Sequence, residues 1–239
     1  MNTLLRRFLA TVMAACCAFP ALAADVPQRL RPNIVFVLLD DAGFSDLGSY
    51  GGEIATPTMD ALAAQGVRFS NFHTAPTCEA TRAMMHSGVD NHLAGMGALM
   101  PVIAESQKGK PGYEGYLSDR AHSLGALMRD GGYATYFAGK WNLGYGLEHS
   151  PGARGWDRYL ALEQTGADNF EAKVWAPFNA EAVWWQDGRR YQPPKEDSQR
   201  AMEHITSSLA AAHPEGTAVA TGEGHGPSGM SLCQQRNSP

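Results

Sequence analysis

Short apolar runs alternate along the chain with segments that carry apolar residues at helical spacing, a pattern that predicts strands and helices in turn. The run from Ile34 to Leu39 is continuously apolar, as expected for a strand covered on both faces. The predicted strands are 34–39, 67–72 and 133–138, and the predicted helices are 57–65, 78–87 and 122–130. This order predicts an α/β fold with a mainly parallel sheet between helix layers.

Two acidic residues, Asp40 and Asp41, directly follow the first predicted strand. Ligands of open α/β sheets bind beside the carboxyl ends of the strands. Carboxylate oxygens are the donors that hard divalent cations take. The pair is therefore a candidate metal site, although two acids that simply begin a solvated loop would give the same pattern.

A cysteine and an arginine lie four residues apart at the predicted start of the helix 78–87. Residues at this spacing share one helix face, so Cys78 and Arg82 project to the same side. The unpaired N–H groups and the dipole of the first turn favour negative charge there. The segment predicts an anion site with a reactive atom, while the plainer interpretation is a small buried Cys that packs the helix against the sheet.

A lysine lies in a glycine-flanked loop after the last predicted strand, in the run Gly139-Lys140-Trp141-Asn142-Leu143-Gly144. Its ammonium group is a compact point charge that suits an anionic ligand. The alternative is a solvated surface lysine, which is the usual environment of that residue.

The segment from Cys78 to Gly88 resembles the sulfatase signature, which runs Cys or Ser, any residue, Pro or Ala, any residue, Arg, then an apolar stretch and Gly. Ala80 matches the less common form of this signature. His86 and Ser87 stand where Leu and Thr are more usual.

Two other segments extend the resemblance. Residues 32–48 resemble the opening of bacterial arylsulfatases, and residues 131–144 resemble the second sulfatase signature. Asn142 stands where the family has His, to which a proton-transfer role is assigned. The resemblance covers roughly 32–205, and the ordered set of three motifs is more specific than any one of them.

The resemblance implies an alkaline-phosphatase-like fold and a set of roles for the matched residues. Cys78 would be oxidised to formylglycine by a maturation enzyme, and its hydrated aldehyde would attack the sulfur of a sulfate ester. Asp40 and Asp41, together with the oxygen of residue 78, would ligate calcium. Arg82 would orient the aldehyde hydrate and Lys140 would neutralise the bound ester.

The composition excludes some partners and indicates export. The chain has 239 residues and a net charge of -5, so nothing indicates nucleic acid as a ligand. Residues 1–23 carry two arginines, an apolar run and Ala21-Leu22-Ala23, which predicts a signal peptide and a periplasmic or secreted protein with no membrane span afterwards. Cys78 and Cys233 remain after cleavage, and we expect no structural disulfide between them.

The character of the chain changes after about residue 205. Residues 206–239 are rich in Gly, Ser, His and Pro and lack apolar periodicity, which predicts an unrelated, disordered tail. The sulfatase resemblance breaks off here, so we expect 24–205 to be the N-terminal portion of a catalytic domain in a truncated chain.

The resemblance implies a sulfuric ester hydrolase of arylsulfatase type that acts on a small-molecule sulfate ester. Two alternatives stay open. A phosphonate or phosphate ester hydrolase fits the same scaffold, because tetrahedral anions of similar size fit the same site. A truncated product without catalytic activity is the other alternative, because it would lack the rest of the metal site.

Overall fold

The computed structural model describes residues 32–100, 102–167, 181–192 and 230–235. In this part of the chain six strands form one sheet in the order β1-β6-β2-β3-β4-β5. The strands are β1 (Ile34–Val37), β2 (Tyr133–Lys140), β3 (Arg158–Leu162), β4 (Trp184–Gln186), β5 (Arg189–Tyr191) and β6 (Met230–Gln235). The α/β organisation predicted from the sequence is confirmed.

The sheet is mixed, whereas a mainly parallel one was expected. β2 and β3 run parallel, but β6 is antiparallel to both β1 and β2. β4 is antiparallel to β3 and to β5. The β4–β5 hairpin is explained by its two-residue turn, Asp187 at φ 46° and Gly188 at φ 84°, which is the backbone that a tight hairpin needs. Because β6 separates them, β1 and β2 still point the same way.

Three helices have the bounds that the sequence predicts to within two residues. They are α1 (Pro57–Gln65), α2 (Cys78–Ser87) and α3 (Leu124–Asp130). α2 ends at Gly88, whose φ of 69° favours glycine and whose N–H donates to the carbonyl of Met84. α3 begins after Ser123, whose hydroxyl accepts a hydrogen bond from the N–H of Ala126 at 3.2 Å.

The strand predicted for 67–72 is wrong, because this segment pairs with no other strand among the described residues. Its large apolar side chains are exposed: Val67 by 81%, Phe69 by 65% and Phe72 by 74%. The apolar pattern has the strand period, but a strand also requires a neighbour that accepts its backbone hydrogen bonds.

The two faces of the sheet support separate apolar clusters, as the alternation of side chains along a strand requires. One cluster contains Tyr136, Ala138, Leu160, Leu162, Ala167, Ala182 and Trp184. The other contains Ala83, Ala94, Met96, Leu117, Phe137, Trp141, Leu143, Trp156, Tyr159 and Ala161. Ala83 belongs to the second cluster, so α2 packs on that face. β1 is less covered than predicted, since Val35 is 43% exposed.

The predictions about the two ends of the chain stay predictions. The predicted signal peptide and the boundary near 205 lie outside the described residues. Within 206–239 only β6 is described, and it forms a strand in a segment for which we expected no regular structure. No helix in the described ranges is long and apolar enough to cross a membrane.

Candidate active site

Four parts of the chain meet at one edge of the sheet. Lys140 ends β2, and the parallel partner β3 ends opposite it at Leu162. Asp40 follows β1, which points the same way as β2. The first turn of α2 supplies Cys78, and the loop after β3 supplies Thr165. The carboxyl ends of strands that run in one direction share an edge, which explains why residues so distant in sequence are neighbours.

Asp40 is held between two buried positive charges. Its Oδ2 accepts from the Nζ of Lys140 at 2.6 Å, and its Oδ1 lies 3.5 Å from the Nη2 of Arg82. Burial by itself would raise the pKa of Asp40, but the charges of Arg82 and then Lys140 outweigh burial and hold that pKa below its usual value. Asp40 is therefore a carboxylate at neutral pH.

Arg82 also joins α2 to β2. It is 1% exposed, and its Nη1 donates to the backbone carbonyl of Lys140 at 2.6 Å. A planar guanidinium presents several donors in fixed directions, so one side chain can contact Asp40 and this carbonyl together. Lys140 is 5% exposed, so the alternative of a solvated surface lysine does not apply.

Cys78 is a half-buried free thiol in contact with several polar groups. Its Sγ lies 3.4 Å from the Nδ2 of Asn142, which donates to it, and 3.9 Å from the Oγ1 of Thr165. Asn142 is 4% exposed and has a φ of 51°, in the left-handed region that Asn tolerates better than most residues. The amide is thus directed at residue 78 by an unusual backbone.

Glu79 is a buried acid that the sequence analysis did not single out. It is fully buried, and its Oε2 lies 3.9 Å from the Sγ of Cys78. Burial raises the pKa of Glu79 to about 7, against the opposing effects of backbone hydrogen bonds, the charge of Lys140 and the amide of Asn142. An acidic residue in the first turn looks like a simple complement to the helix dipole, so its burial had no local signal.

The surroundings of Asp41 differ from those of the other predicted site residues. It is exposed and has a φ of 54°, whereas Asp40 is turned inward. The described ranges contain no group of three or more His, Cys, Asp or Glu side chains arranged to hold a metal ion. The carboxylate oxygens of Asp40 and Asp41 fit a hard divalent cation in type. Such a cation would compete with Lys140 and Arg82 for Asp40.

Thr165 is the other site residue that the sequence analysis missed. Its Oγ1 accepts a hydrogen bond from the Nζ of Lys140 at 3.0 Å, in addition to its contact with Cys78. The only available signal was its position in a polar run after β3, and no strand was predicted there.

The chain matches one protein family along most of its length and is similar in sequence to several known proteins. The family model described as Sulfatase matches residues 32–235. An uncharacterized sulfatase of Schizosaccharomyces pombe is 43% identical over 60% of this chain and 26% of its own length. An arylsulfatase of Klebsiella aerogenes is 38% identical over 67% of this chain and 34% of its own length. The chain thus spans about a quarter to a third of the length of these relatives.

Solved structures share the fold. The crystal structure of Ps i-CgsB aligns with a TM-score of 0.62 at 21% identity, over 78% of this chain and 43% of that one. The PsFucS1 sulfatase from Pseudoalteromonas sp. aligns with a TM-score of 0.55 at 20% identity, over 77% of this chain and 42% of that one. The alkaline-phosphatase-like fold expected from the sequence is confirmed, as a partial domain.

Proposed function

Because the chain belongs to the sulfatase family, we propose that it is a sulfuric ester hydrolase of arylsulfatase type with residue 78 as the nucleophile. The observation that carries this proposal is the convergence of Cys78, Arg82, Lys140 and Asn142 within hydrogen-bond distance of one another or of Asp40. Arylsulfatases are among the relatives, which supports the aryl class of substrate.

The proposed nucleophile is formylglycine, formed from Cys78 by a maturation enzyme that supplies the oxidant. Its hydrated aldehyde offers one hydroxyl to attack the sulfur of the ester and a second whose deprotonation releases sulfate and restores the aldehyde. A thiol has no second hydroxyl, so unmodified Cys78 would not complete this cycle. We also propose that the protein is exported to the periplasm or secreted, as residues 1–23 predict.

The side chains around residue 78 have complementary roles in this proposal. Lys140 brings a buried positive charge to the sulfate group, where a low local dielectric strengthens the interaction. Arg82 fixes the end of β2 through its bond to the Lys140 carbonyl and orients residue 78. Asn142 donates a hydrogen bond to residue 78 but has no site that accepts a proton at neutral pH.

A divalent cation, with calcium as the expected ion, would be held by Asp40, Asp41 and the oxygen of residue 78, and would polarise the sulfate oxygens. Calcium takes about six to eight oxygen ligands, and these groups supply only part of that set. We therefore expect weak binding of calcium to the chain, measured by calorimetry. Tight stoichiometric binding that Asp41→Ala abolishes would contradict this expectation.

Two measurements on the exported chain test the proposal. Mass spectrometry of the tryptic peptide 69–82, from a host that matures sulfatases, should show an aldehyde at residue 78. The same protein should hydrolyse an aryl sulfate, and Cys78→Ala should lower the rate by about 10³-fold or more. Cys233→Ala is the matched control and should leave the rate unchanged.

The alternatives give different results in the same assays. A peptide found wholly as the thiol would overturn the formylglycine assignment. Faster cleavage of an aryl phosphonate or phosphate ester than of the sulfate would favour the related hydrolase. An aldehyde without turnover of any of these esters would favour a chain that has no catalytic activity.

A further inference from the structure

Thr165 lies between the proposed cationic group and the proposed nucleophile. Its Oγ1 is 3.0 Å from the Nζ of Lys140 and 3.9 Å from the Sγ of Cys78. We propose that Thr165 is a positioning residue that holds the ammonium of Lys140 beside residue 78. This inference rests on the proposed function, because it assigns Lys140 and residue 78 to one reacting site.

The chemistry of the three groups fixes the direction of the hydrogen bonds. An ammonium group only donates, so the hydroxyl of Thr165 must accept from Lys140. The hydroxyl proton then remains available to donate, and residue 78 is its neighbour. Thr165 therefore links the positive charge of Lys140 to the group at residue 78 through one hydroxyl.

Asp40 acts in opposition to Thr165. Its carboxylate accepts from the same ammonium at 2.6 Å, and the charge-assisted bond is the stronger of the two. Lys140 is buried, so its charge is not released to water. Without the hydroxyl of Thr165, the ammonium is expected to move towards Asp40 and away from residue 78.

The loop that carries Thr165 is anchored independently of this hydroxyl. The Oε2 of Glu163 accepts from the backbone N–H of Gly146 at 2.8 Å and from the Nε1 of Trp185 at 2.6 Å. The Oε1 of Gln164 accepts from the backbone N–H of Val183 at 2.8 Å. Replacement of Thr165 by Val, which has the same shape, should therefore remove the hydroxyl without displacing the loop.

The test compares two alkylating reagents on the full chain, produced without the maturation enzyme so that Cys78 remains a thiol. Iodoacetate is anionic and iodoacetamide is neutral, and both attack the same thiolate. The ratio of their rates at Cys78, measured on the tryptic peptide 69–82, reports local positive charge and cancels changes in thiol ionisation or exposure.

We expect Thr165→Val and Thr165→Ala to lower the iodoacetate to iodoacetamide ratio about two- to tenfold, the range set by one hydrogen bond. Thr165→Ser keeps the hydroxyl and should restore the ratio. The matched control is Thr56→Val. It removes a half-buried hydroxyl that bonds to Asp60 and should leave the ratio at Cys78 unchanged. An unchanged ratio in Thr165→Val, or a Ser variant as impaired as Val, would overturn the proposal.

A double-mutant cycle shows whether Thr165 acts through Lys140. Lys140→Gln should itself lower the ratio, and adding Thr165→Val to it should lower the ratio no further. Additive losses would mean that Thr165 acts on Cys78 directly and would overturn the positioning role. None of these measurements requires turnover. Absence of aryl sulfate hydrolysis would contradict the proposed function, whereas an unchanged ratio would contradict the role of Thr165.

Discussion

Charged side chains are buried around the first turn of α2 and the end of β2, whereas large apolar side chains are exposed between residues 44 and 72. Glu79, Arg82 and Lys140 are at most 5% exposed. Val67 and Phe72 are 81% and 74% exposed. This is the reverse of the usual distribution, in which Lys, Glu and Arg are almost never fully buried unless they are paired.

The difference teaches that neighbours, more than residue type, decide burial. The charges of Lys140 and Arg82 are tolerated because both pair with Asp40 from another element, across 100 positions of sequence in the case of Lys140. Burial instead raises the pKa of Glu79 to about 7, which lowers the cost of its burial. The apolar residues of 44–72 have no second layer over them among the described residues. Substitutions that remove a partner at the site should therefore be costly, whereas substitutions in the exposed segment should cost little.

The largest expected effect comes from Arg82→Met. The substitution removes a buried partner of Asp40 and the hydrogen bond that Arg82 donates to the carbonyl of Lys140. Breaking a buried charge network in this way costs about 3–5 kcal/mol in free energy of unfolding. Urea unfolding with an unchanged m value would measure the loss.

The matched control is Arg158→Met, at an arginine whose side chain is 53% exposed and whose Nε lies 2.8 Å from Asp187. An exposed ion pair contributes at most about 1 kcal/mol. Equal losses from the two substitutions would show that burial does not distinguish the site from the surface.

A second prediction concerns turnover and the amide at residue 142. Asn142→His places a proton acceptor next to residue 78, and His also tolerates the left-handed backbone found there. A positioned base typically contributes about 10²–10⁴ in rate, so steady-state hydrolysis of an aryl sulfate should rise by about 10²-fold. The initial burst of phenol, which is released when residue 78 attacks the sulfur of the ester, should change less, because that attack does not need this base.

Asn142→Gln is the control, since it keeps an amide and adds no base, and should remain slow. If the parent and Asn142→His turn over at equal rates without a burst, another group accepts the proton. Glu79, whose Oε2 lies 3.9 Å from the Sγ of Cys78, would then be the first candidate to examine.

The site shows which features can be predicted from local sequence signals. α2 and its end at Gly88 were predicted from caps and helix formers, which act within a few residues. Cys78 and Lys140 were found because they lie in local motifs. Thr165 and the burial of Glu79 were missed because both depend on how β3 and α2 meet, which no local pattern encodes.

The same limit explains the errors in the fold. The segment 67–72 has the alternation of a strand, but pairing depends on a distant neighbour, and none of the described strands pairs with it. The mixed sheet arises from the antiparallel hairpin β4–β5 and from β6, which lies between β1 and β2 although it is the last described strand in sequence order. Periodicity predicts which side chains share a face and cannot predict which strands become neighbours.

A third prediction concerns His86, whose burial is not matched by partners. It is fully buried among Phe137, Trp141 and Trp156, and neither ring nitrogen has a hydrogen-bond partner among the described residues. His86→Leu should therefore raise the free energy of unfolding at neutral pH by about 1–2 kcal/mol, because an unsatisfied buried polar group is removed. Urea unfolding of the two proteins measures the difference.

The pH dependence sharpens this prediction. Burial, and then the charge of Arg82, lower the pKa of His86 from 6.5 to about 3 in the folded protein. Between these values the unfolded chain binds a proton that the folded one does not, so stability falls as the pH falls below 6.5. The advantage of His86→Leu should grow by about 2 kcal/mol between neutral pH and about pH 5. An advantage of His86→Leu that stays constant between these two pH values would contradict the lowered pKa of His86.

The smallest expected effect is at the other end of the comparison, in Val67→Ser. Val67 is 81% exposed and lies outside any strand, so the substitution should change the free energy of unfolding by less than about 0.5 kcal/mol. Phe137→Ala, at a residue 2% exposed in the apolar cluster beneath α2, should cost about 3–5 kcal/mol in the same urea assay.

A loss above about 1 kcal/mol from Val67→Ser would mean that something covers this side chain in solution. If that loss grew with protein concentration, the cover would be a second copy of the chain, since association stabilises a folded protein by mass action. A loss independent of concentration would instead place the cover within the chain itself. The claim that the exposed segment lacks a partner would then be wrong, although the claim about the partners at the site would stand.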